Sequence, residues 1–162
     1  MRDRRYFFKY ASMIYRISNR YYDQKLAPYG IGSGQQFFLL RIAENDGITM
    51  FDLAGLGHFD KGTVTKAIQK LEERGYLRIE PDAGDRRVRR LFITEPGRKA
   101  AEAVYILRDQ WNDVLIRGLT PDQQELAVQA LRSMSDNAYR YMGDLDNGEP
   151  VLEPHSYRGT AK

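Results

Sequence analysis

The sequence contains no cysteine, and this absence excludes several kinds of chemistry. Without a thiol the chain cannot form disulfide bonds, thiolate–metal sites, cysteine nucleophiles or thiol-based redox sensors. Histidine occurs only at His58 and His155, which is too few for a histidine metal site, and no acidic cluster has a coordinating spacing. We therefore expect the protein to work without a metal or another cofactor.

Long apolar runs are also absent. No apolar segment approaches the roughly 20 residues that a membrane-spanning helix needs, and the opening MRDRRYFFKY lacks the features of a secretory signal. The sequence also has no G-x-S-x-G motif, no phosphate-binding loop and no histidine pair that would indicate an enzyme. We expect a cytoplasmic, non-enzymatic protein that has no membrane partner.

Positive charge is concentrated in two segments. The formal net charge is only +3, but residues 61–98 hold ten Lys or Arg against six Asp or Glu, and residues 1–30 hold seven against two. Two basic segments on a nearly neutral body suit a polyanionic partner. Ordinary solvated faces are the alternative interpretation.

Apolar residues recur at helical spacing through most of the chain. Phe7 to Tyr21 form one such stripe, with spacings of 3, 4, 3 and 4 residues, and Leu126 to Tyr141 form another. A Ser, Thr, Asp or Asn that immediately precedes a segment with helical apolar spacing is a typical helix N-cap. We expect this role for Ser33, Thr49, Asp60 and Thr120.

After Gly75 the spacing of apolar residues changes from the helical period of 3.6 residues to the strand period of 2 residues. Leu77 and Ile79 alternate with charged residues, as do Leu91 and Ile93, and a turn-rich charged segment, 81–88, lies between them. This pattern predicts a two-stranded β-hairpin with a long polar tip. The fold class is therefore mainly α with a small β-hairpin, in the order of a winged helix-turn-helix.

The helix that follows Asp60 has an outer face suited to DNA. Val64, Ile68 and Leu71 lie within about 60° of one another at 100° per residue, so they face the core. A major groove admits an α-helix, in which glutamine pairs with adenine edges and lysine with guanine or phosphate. Threonine hydroxyls bind phosphate. The predicted recognition surface consists of Lys61, Gly62, Thr63, Thr65, Lys66, Gln69 and Lys70.

Arginines are dense around the tip of the predicted hairpin. Arg86, Arg87, Arg89 and Arg90 occur within five residues, and an extended tip can enter the narrow minor groove, where arginine is favoured. Asp85 precedes Arg87 by two residues and can orient its guanidinium group. The predicted wing contacts are Asp85, Arg86, Arg87 and Arg89, and a solvated loop is the alternative.

At these positions the sequence resembles the MarR (multiple antibiotic resistance regulator) family of transcription regulators. The resemblance rests on residues 60–66 (DKGTVTK), 71–77 (LEERGYL), 82–87 (DAGDRR) and 91–97 (LFITEPG), and it covers about residues 35–100 strongly. One departure is Gly62, where the family usually has serine, so a hydroxyl contact to phosphate is missing there.

The resemblance implies a homodimer that binds a palindromic operator, most often as a repressor. It implies that Lys61 to Lys70 form the recognition helix and that Arg87 enters the minor groove, oriented by Asp85. The expected organisation is an N-terminal dimerisation helix (1–30), a winged helix-turn-helix domain (31–98), C-terminal dimerisation helices (99–142) and a flexible tail (143–162). The two terminal stripes also hold more apolar surface than a small winged helix needs. Covering of the monomer's own core is the alternative interpretation of these stripes.

Many members of that family are released from DNA by small aromatic or phenolic compounds. Residues on the helices that would meet beside the winged helix form a candidate effector pocket: Tyr10, Ile14, Phe37, Phe38 and Trp111. Plain core packing is the alternative for these residues. The lack of cysteine excludes the peroxide-sensing members.

A winged helix can also bind protein or RNA, because fold alone does not determine function. The basic wing and the polar outer helix face favour duplex DNA, since a protein-binding version would be expected to carry apolar residues there. The remaining alternative is thus an interaction module without operator specificity.

Overall fold

The computed structural model describes residues 6–146, apart from the side chains of residues 7, 144 and 145. The helices in this range are α1 (Tyr6–Leu26), a 3-10 turn (Ala27–Tyr29), α2 (Ser33–Glu44), α3 (Met50–Gly57), α4 (Lys61–Glu73), α5 (Glu95–Leu115) and α6 (Pro121–Asp146). The strands are β1 (Ile48–Thr49), β2 (Leu77–Pro81) and β3 (Arg89–Ile93). The predicted order of elements is confirmed.

Three of the predicted N-caps are confirmed by hydrogen bonds. The Thr49 hydroxyl oxygen accepts from the Asp52 backbone N–H at 3.0 Å and so begins α3. Asp60 caps α4, and Thr120 accepts from the Gln123 N–H at 3.3 Å at the start of α6. Each cap satisfies a backbone donor that has no partner within its own helix.

The prediction that Ser33 caps the second helix is wrong, because Gly32 occupies the cap position. The Gly32 N–H donates to the side-chain oxygen of Gln35 at 3.1 Å. The Ser33 N–H donates to the Asp23 carboxylate at 2.8 Å. A carboxylate ten residues earlier, on α1, therefore satisfies a donor at the start of α2.

The sheet has three strands, one more than the predicted hairpin. β2 and β3 pair antiparallel, with Leu77 opposite Ile93 and Ile79 opposite Leu91. β1 adds to the other side of β3, with Ile48 opposite Leu91, which gives the order β1-β3-β2. This third strand ties the segment between α2 and α3 to the hairpin, so the hairpin's base is held on both sides.

One apolar core joins the helix-turn-helix to the sheet and to α5. Its members come from α1 to α5 and from both long strands, and Leu39, Leu53, Leu71, Leu91 and Val104 are each 0% exposed. Full burial of each such side chain contributes about 1.5–3 kcal/mol to stability. α4 and the hairpin are therefore held on a rigid support.

A close backbone approach connects the hairpin to α5. Gly97 is buried, and a Cβ atom placed there would lie 2.0 Å from the Tyr76 carbonyl oxygen. The Thr94 hydroxyl oxygen accepts from the Gly97 N–H at 3.1 Å, and this hydroxyl donates to the Gly75 carbonyl at 2.6 Å. Only glycine fits at this crossing.

The chain divides into two compact units, Met1–Leu115 and Ile116–Lys162. In the second unit, none of the α6 residues whose burial is described is buried. α6 continues through Gly143 to Asp146, so the first four residues of the predicted tail are helical. The rest of that predicted tail, 147–162, lies outside the described residues. Among the described helices, none combines the length and the hydropathy that spanning a bilayer requires.

Candidate nucleic-acid interface

The start of α4 is fixed by Asp60. Its carboxylate accepts from the Thr63 backbone N–H at 2.9 Å and from the Thr63 hydroxyl at 2.6 Å. The hydroxyl bond and then the backbone bond lower the pKa of Asp60 below its ordinary value. A negative charge at a helix N-terminus also interacts favourably with the helix dipole. The N-terminal turn of α4 is thus well ordered before any partner binds.

The structure places the apolar face of α4 in the core and leaves the predicted recognition surface outside. Val64, Ala67, Ile68 and Leu71 are buried. Thr65 is half-buried, whereas the other predicted contacts are exposed, namely Lys61, Gly62, Thr63, Lys66, Gln69 and Lys70. The outer face therefore offers three ammonium groups and one amide group to a partner.

The two threonines use their hydroxyl protons inside the protein. Thr63 donates to Asp60, and Thr65 donates to the Lys61 carbonyl oxygen at 2.8 Å. A phosphate oxygen can only accept hydrogen bonds. Either hydroxyl must therefore exchange its internal acceptor before it can bind phosphate, whereas the lysines need no such exchange.

Gly62 lies exposed in the first turn of α4. A Cβ atom placed there would lie 3.1 Å from a carboxylate oxygen of Asp60 and near nothing else within 4 Å. The position has room toward solvent, so a partner's backbone can approach α4 closely at this point.

The hairpin and its connection form the wing, which we define as residues 77–93. Asp82 organises the connection, because its carboxylate accepts from the Gly84 N–H at 2.8 Å and the Asp85 N–H at 3.2 Å and binds the Arg90 guanidinium. The Arg90 contact first, and then the two backbone bonds, lower the pKa of Asp82 to about 2. The carboxylate therefore stays ionised and holds the turn in one conformation.

Asp85 and Arg87 form a forked ion pair at the wing's outer end. Nε and Nη2 of Arg87 each lie 3.1 Å from a carboxylate oxygen of Asp85, and the Arg87 N–H donates to the same group at 3.0 Å. These bonds, led by the side-chain bond, lower the pKa of Asp85. The Arg87 side chain is still 92% exposed. The guanidinium is thus oriented by the protein and open to a partner.

Arg90 differs from the other arginines in the same cluster. Arg86 and Arg89 are exposed, but Arg90 binds Asp82 and also donates to the Gly47 carbonyl oxygen at 2.9 Å. It therefore joins the neck of the wing to the segment before β1. The spacing of the arginines in the sequence could not show that Arg90 stabilises the wing while the others are exposed to a partner.

The five candidate effector residues fall into different surroundings. Phe38 is 2% exposed and belongs to the core, and Phe37 contacts it with a ring-centroid distance of 5.5 Å. Trp111 stacks on Tyr21 at 4.6 Å and donates to the Ser18 hydroxyl at 2.8 Å. Tyr10 and Ile14 are exposed on α1. The rings of Phe37 and Phe38 also contact Phe59, so a second group of aromatic residues, which sequence periodicity did not identify, lies beside α3.

The described residues contain no group of three or more histidine, cysteine, aspartate or glutamate side chains that could hold a metal ion. The ionisable groups of the interface are instead hydrogen-bonded carboxylates and exposed lysines and arginines. Such a surface can bind an extended polyanion.

The comparisons with known proteins agree with this geometry. A family model described as the MarR family matches residues 30–88. The uncharacterized HTH-type transcriptional regulator YybA of Bacillus subtilis is 32% identical over 128 residues, which are 79% of this chain and 85% of that protein. The chain belongs to the MarR family. Its members are DNA-binding transcription regulators with a winged helix-turn-helix, and the predicted resemblance is confirmed.

Solved structures extend the MarR assignment to the flanking helices. A MarR transcriptional regulator from Methanosarcina mazei is 34% identical, with a TM-score of 0.78 over 86% of this chain and 94% of that one. A putative MarR family regulator from Listeria monocytogenes, solved with a 26mer DNA, has a TM-score of 0.82 at 22% identity, covering 94% of this chain and 99% of that one. Because its sequence identity is low, the similarity to the Listeria monocytogenes protein shows a shared fold and nothing further.

Proposed function

We propose that this MarR-family protein binds a palindromic operator in double-stranded DNA as a homodimer, with α4 in the major groove and the wing in the adjacent minor groove. The observation that carries the proposal is that the exposed polar face of α4 and the oriented Arg87 guanidinium are mounted on the same core. Two rigid, cationic projections of this kind suit two neighbouring grooves.

The contacts are proposed to divide into specific and nonspecific ones. Gln69, which is exposed, reads an adenine edge, while Lys61, Lys66 and Lys70 neutralise phosphate or meet guanine. Phosphate contacts fix the register and base contacts supply the specificity. Arg86, Arg87 and Arg89 supply the wing's charge, and Asp85 orients Arg87.

Dimerisation is proposed to use α1 and α6, each of which presents large apolar side chains to solvent. On α1 Phe8 is 82% exposed and Tyr15 is 68% exposed. On α6 Leu131, Met134 and Tyr141, which lie within about 80° of one another at 100° per residue, are exposed as well. Large apolar side chains exposed on one helix in this way are typical of an association surface. Residues 1–30 and 99–142 are then dimerisation segments around a DNA-binding region, 31–98.

The dimer is tested by sedimentation of two α6 variants with the same added charge. Leu131→Glu places a carboxylate on the exposed apolar face and is expected to shift the protein toward monomer at micromolar concentration. Gln129→Glu lies on the opposite side of α6, about 160° away at 100° per residue, and is expected to stay dimeric. A wild-type monomer, or identical behaviour of the two variants, would contradict this interface.

The proposed regulatory outcome is repression, because a dimer bound across an operator excludes polymerase from the same DNA. A small aromatic or phenolic compound is proposed to lower the affinity for DNA. Trp111 is the single tryptophan of the chain, so quenching of its fluorescence reports a nearby ligand. A phenolic library that changes neither this fluorescence, nor the thermal midpoint, nor operator binding would contradict regulation by such a compound.

The function itself is tested by selecting duplexes from a random pool with the purified protein. We expect enrichment of an inverted repeat whose half-site centres lie about 10–10.5 bp apart or a multiple of this distance. RNA and single-stranded competitors should not displace the selected duplex. Failure to enrich any duplex, or displacement by RNA, would instead support an interaction module without operator specificity.

A further inference from the structure

An open cleft lies between the start of α3, the start of α4 and the wing. Its volume is about 490 Å³. The described residues that line it include Phe51, Lys61, Val64, Arg87, Val88 and Arg89. Most of the lining surface is apolar, three of the lining residues are cationic, and none of the described lining residues carries a carboxylate.

Phe51 is the least expected residue in this cleft. It lies in the first turn of α3, and its side chain is 87% exposed. Leu53, two residues later in the same helix, is 0% exposed. An aromatic ring left in water contributes nothing to the core, and removing it from water would be favourable. A partner that covers Phe51 therefore gains an apolar contact at no cost to the fold.

The position of the cleft indicates which part of the DNA would cover it. The proposed function places α4 in a major groove and the wing in the neighbouring minor groove. Adjacent grooves of a duplex are separated by one sugar–phosphate strand. That strand must cross the space between α4 and the wing, and the cleft occupies this space.

We propose that the cleft seats this sugar–phosphate strand, with the Phe51 ring against a deoxyribose and Lys61 against a flanking phosphate. The proposal rests on the proposed function and extends it to a residue of α3. Its chemistry is complementary at each point, because the deoxyribose is the apolar part of the backbone and the phosphates are the anionic part. Lys61, Arg87 and Arg89 supply the matching cations.

A contact between Phe51 and a deoxyribose has a signature that differs from both base and phosphate contacts. It does not read sequence, so its loss weakens binding to operator and unrelated duplexes by the same factor. It releases no counterion, so the dependence of affinity on salt keeps its slope. Loss of Lys61 should instead reduce that slope by about one unit.

The test compares Phe51→Ala with Leu56→Ala, which truncates a 52% exposed side chain of the same helix that does not line the cleft. We expect Phe51→Ala to weaken operator binding roughly five- to twentyfold, the effect of burying part of one ring. Its thermal midpoint and salt slope should stay at the wild-type values. Leu56→Ala should bind like the wild type.

Hydroxyl-radical footprinting of the same complexes reads the accessibility of each deoxyribose. The wild type should protect sugars on the strand between the two occupied grooves, and Phe51→Ala should lose this protection while retaining that of the phosphate-contacting flanks. If the wild type binds the operator and Phe51→Ala leaves both affinity and footprint unchanged, the proposed role of the cleft is wrong and the proposed function still stands. If the wild type binds no duplex, the proposed function itself is wrong.

Discussion

Arg90 in β3 binds the carboxylate of Asp82 across the neck of the wing and donates a second hydrogen bond, of 2.9 Å, to the carbonyl oxygen of Gly47. Asp82 in turn accepts from two backbone N–H groups of the wing's turn. One guanidinium group thus connects the turn that carries Arg87 to the segment between α2 and β1. The direction in which the wing projects depends on this pair.

We expect Arg90→Ala to weaken operator binding although Arg90 does not contact the DNA. The loss should be about three- to tenfold, the size of one net hydrogen bond, because the wing's turn is no longer held. Asp82→Ala should cause a similar loss, and the double variant should be no worse than either single variant. Anisotropy titrations of the four proteins measure this, and additive losses would contradict a shared role.

Arg87→Ala is expected to lower operator affinity by about tenfold or more, since a contact worth 1.4 kcal/mol corresponds to a factor of ten. The thermal midpoint should not change, because the Arg87 side chain is 92% exposed and contributes little packing. Arg87→Lys keeps the charge but loses the forked geometry, so it should recover only part of the affinity.

Asp85→Asn tests whether the carboxylate orients Arg87. It should weaken binding less than Arg87→Ala does, and it should have no effect when Arg87 is already alanine. If Asp85→Asn strengthens binding by removing a negative charge near the DNA, the orienting role is wrong.

Gln69→Ala and Lys66→Ala are expected to differ in kind. Gln69→Ala should reduce discrimination at one base pair by about 1–3 kcal/mol and leave binding to unrelated duplexes unchanged. Lys66→Ala should weaken binding to every duplex and reduce the salt slope by about one unit. Both side chains are exposed on α4, so neither substitution should change the thermal midpoint, which serves as the control for both variants. Identical behaviour of the two variants would contradict the assignment of specific and nonspecific roles.

The wing should also respond to acid. The pKa of Asp82 is about 2 in the folded chain and about 3.9 in an unfolded one. Ionised Asp82 therefore favours the folded state above pH of about 4, and this contribution is lost as the pH falls toward 2. Asp60 and Asp85 also have lowered pKa values and act in the same direction.

Urea unfolding between pH 5 and 2 of the wild type and Asp82→Asn isolates the contribution of Asp82. The variant lacks this titration, so its free energy of unfolding should fall less steeply over the same range. Parallel curves for the two proteins would show that the carboxylate is not held in the way described.

Local sequence patterns were sufficient for most of the fold. Thr49, Asp60 and Thr120 precede strong apolar periods, and each caps a helix because the bond is made within three residues along the chain. Ser33 has the same local pattern, but Gly32 takes the cap position and Asp23 on α1 accepts the Ser33 N–H. Local periodicity cannot predict a hydrogen bond between residues ten positions apart on different helices.

The third strand and the role of Arg90 could not be predicted for related reasons. β1 has only two residues, Ile48 and Thr49, which is too short to display an alternating pattern. Arg90 is one of four arginines within five residues, and only its side-chain bonds to the Gly47 carbonyl oxygen and to Asp82 separate it from Arg89. The exposed placement of Lys66 and Gln69, by contrast, followed directly from the position of Val64 and Ile68 on the same helix.

The central claim is that the outer face of α4 and the wing bind one duplex together. Its most direct test is a titration of the purified wild-type protein, at low ionic strength, against the selected operator duplex and against its separated strands. We expect tight binding to the duplex, at least about a hundredfold weaker binding to either strand, and a steep loss of duplex affinity as salt is raised. Equal affinity for duplex and single strands would contradict the account.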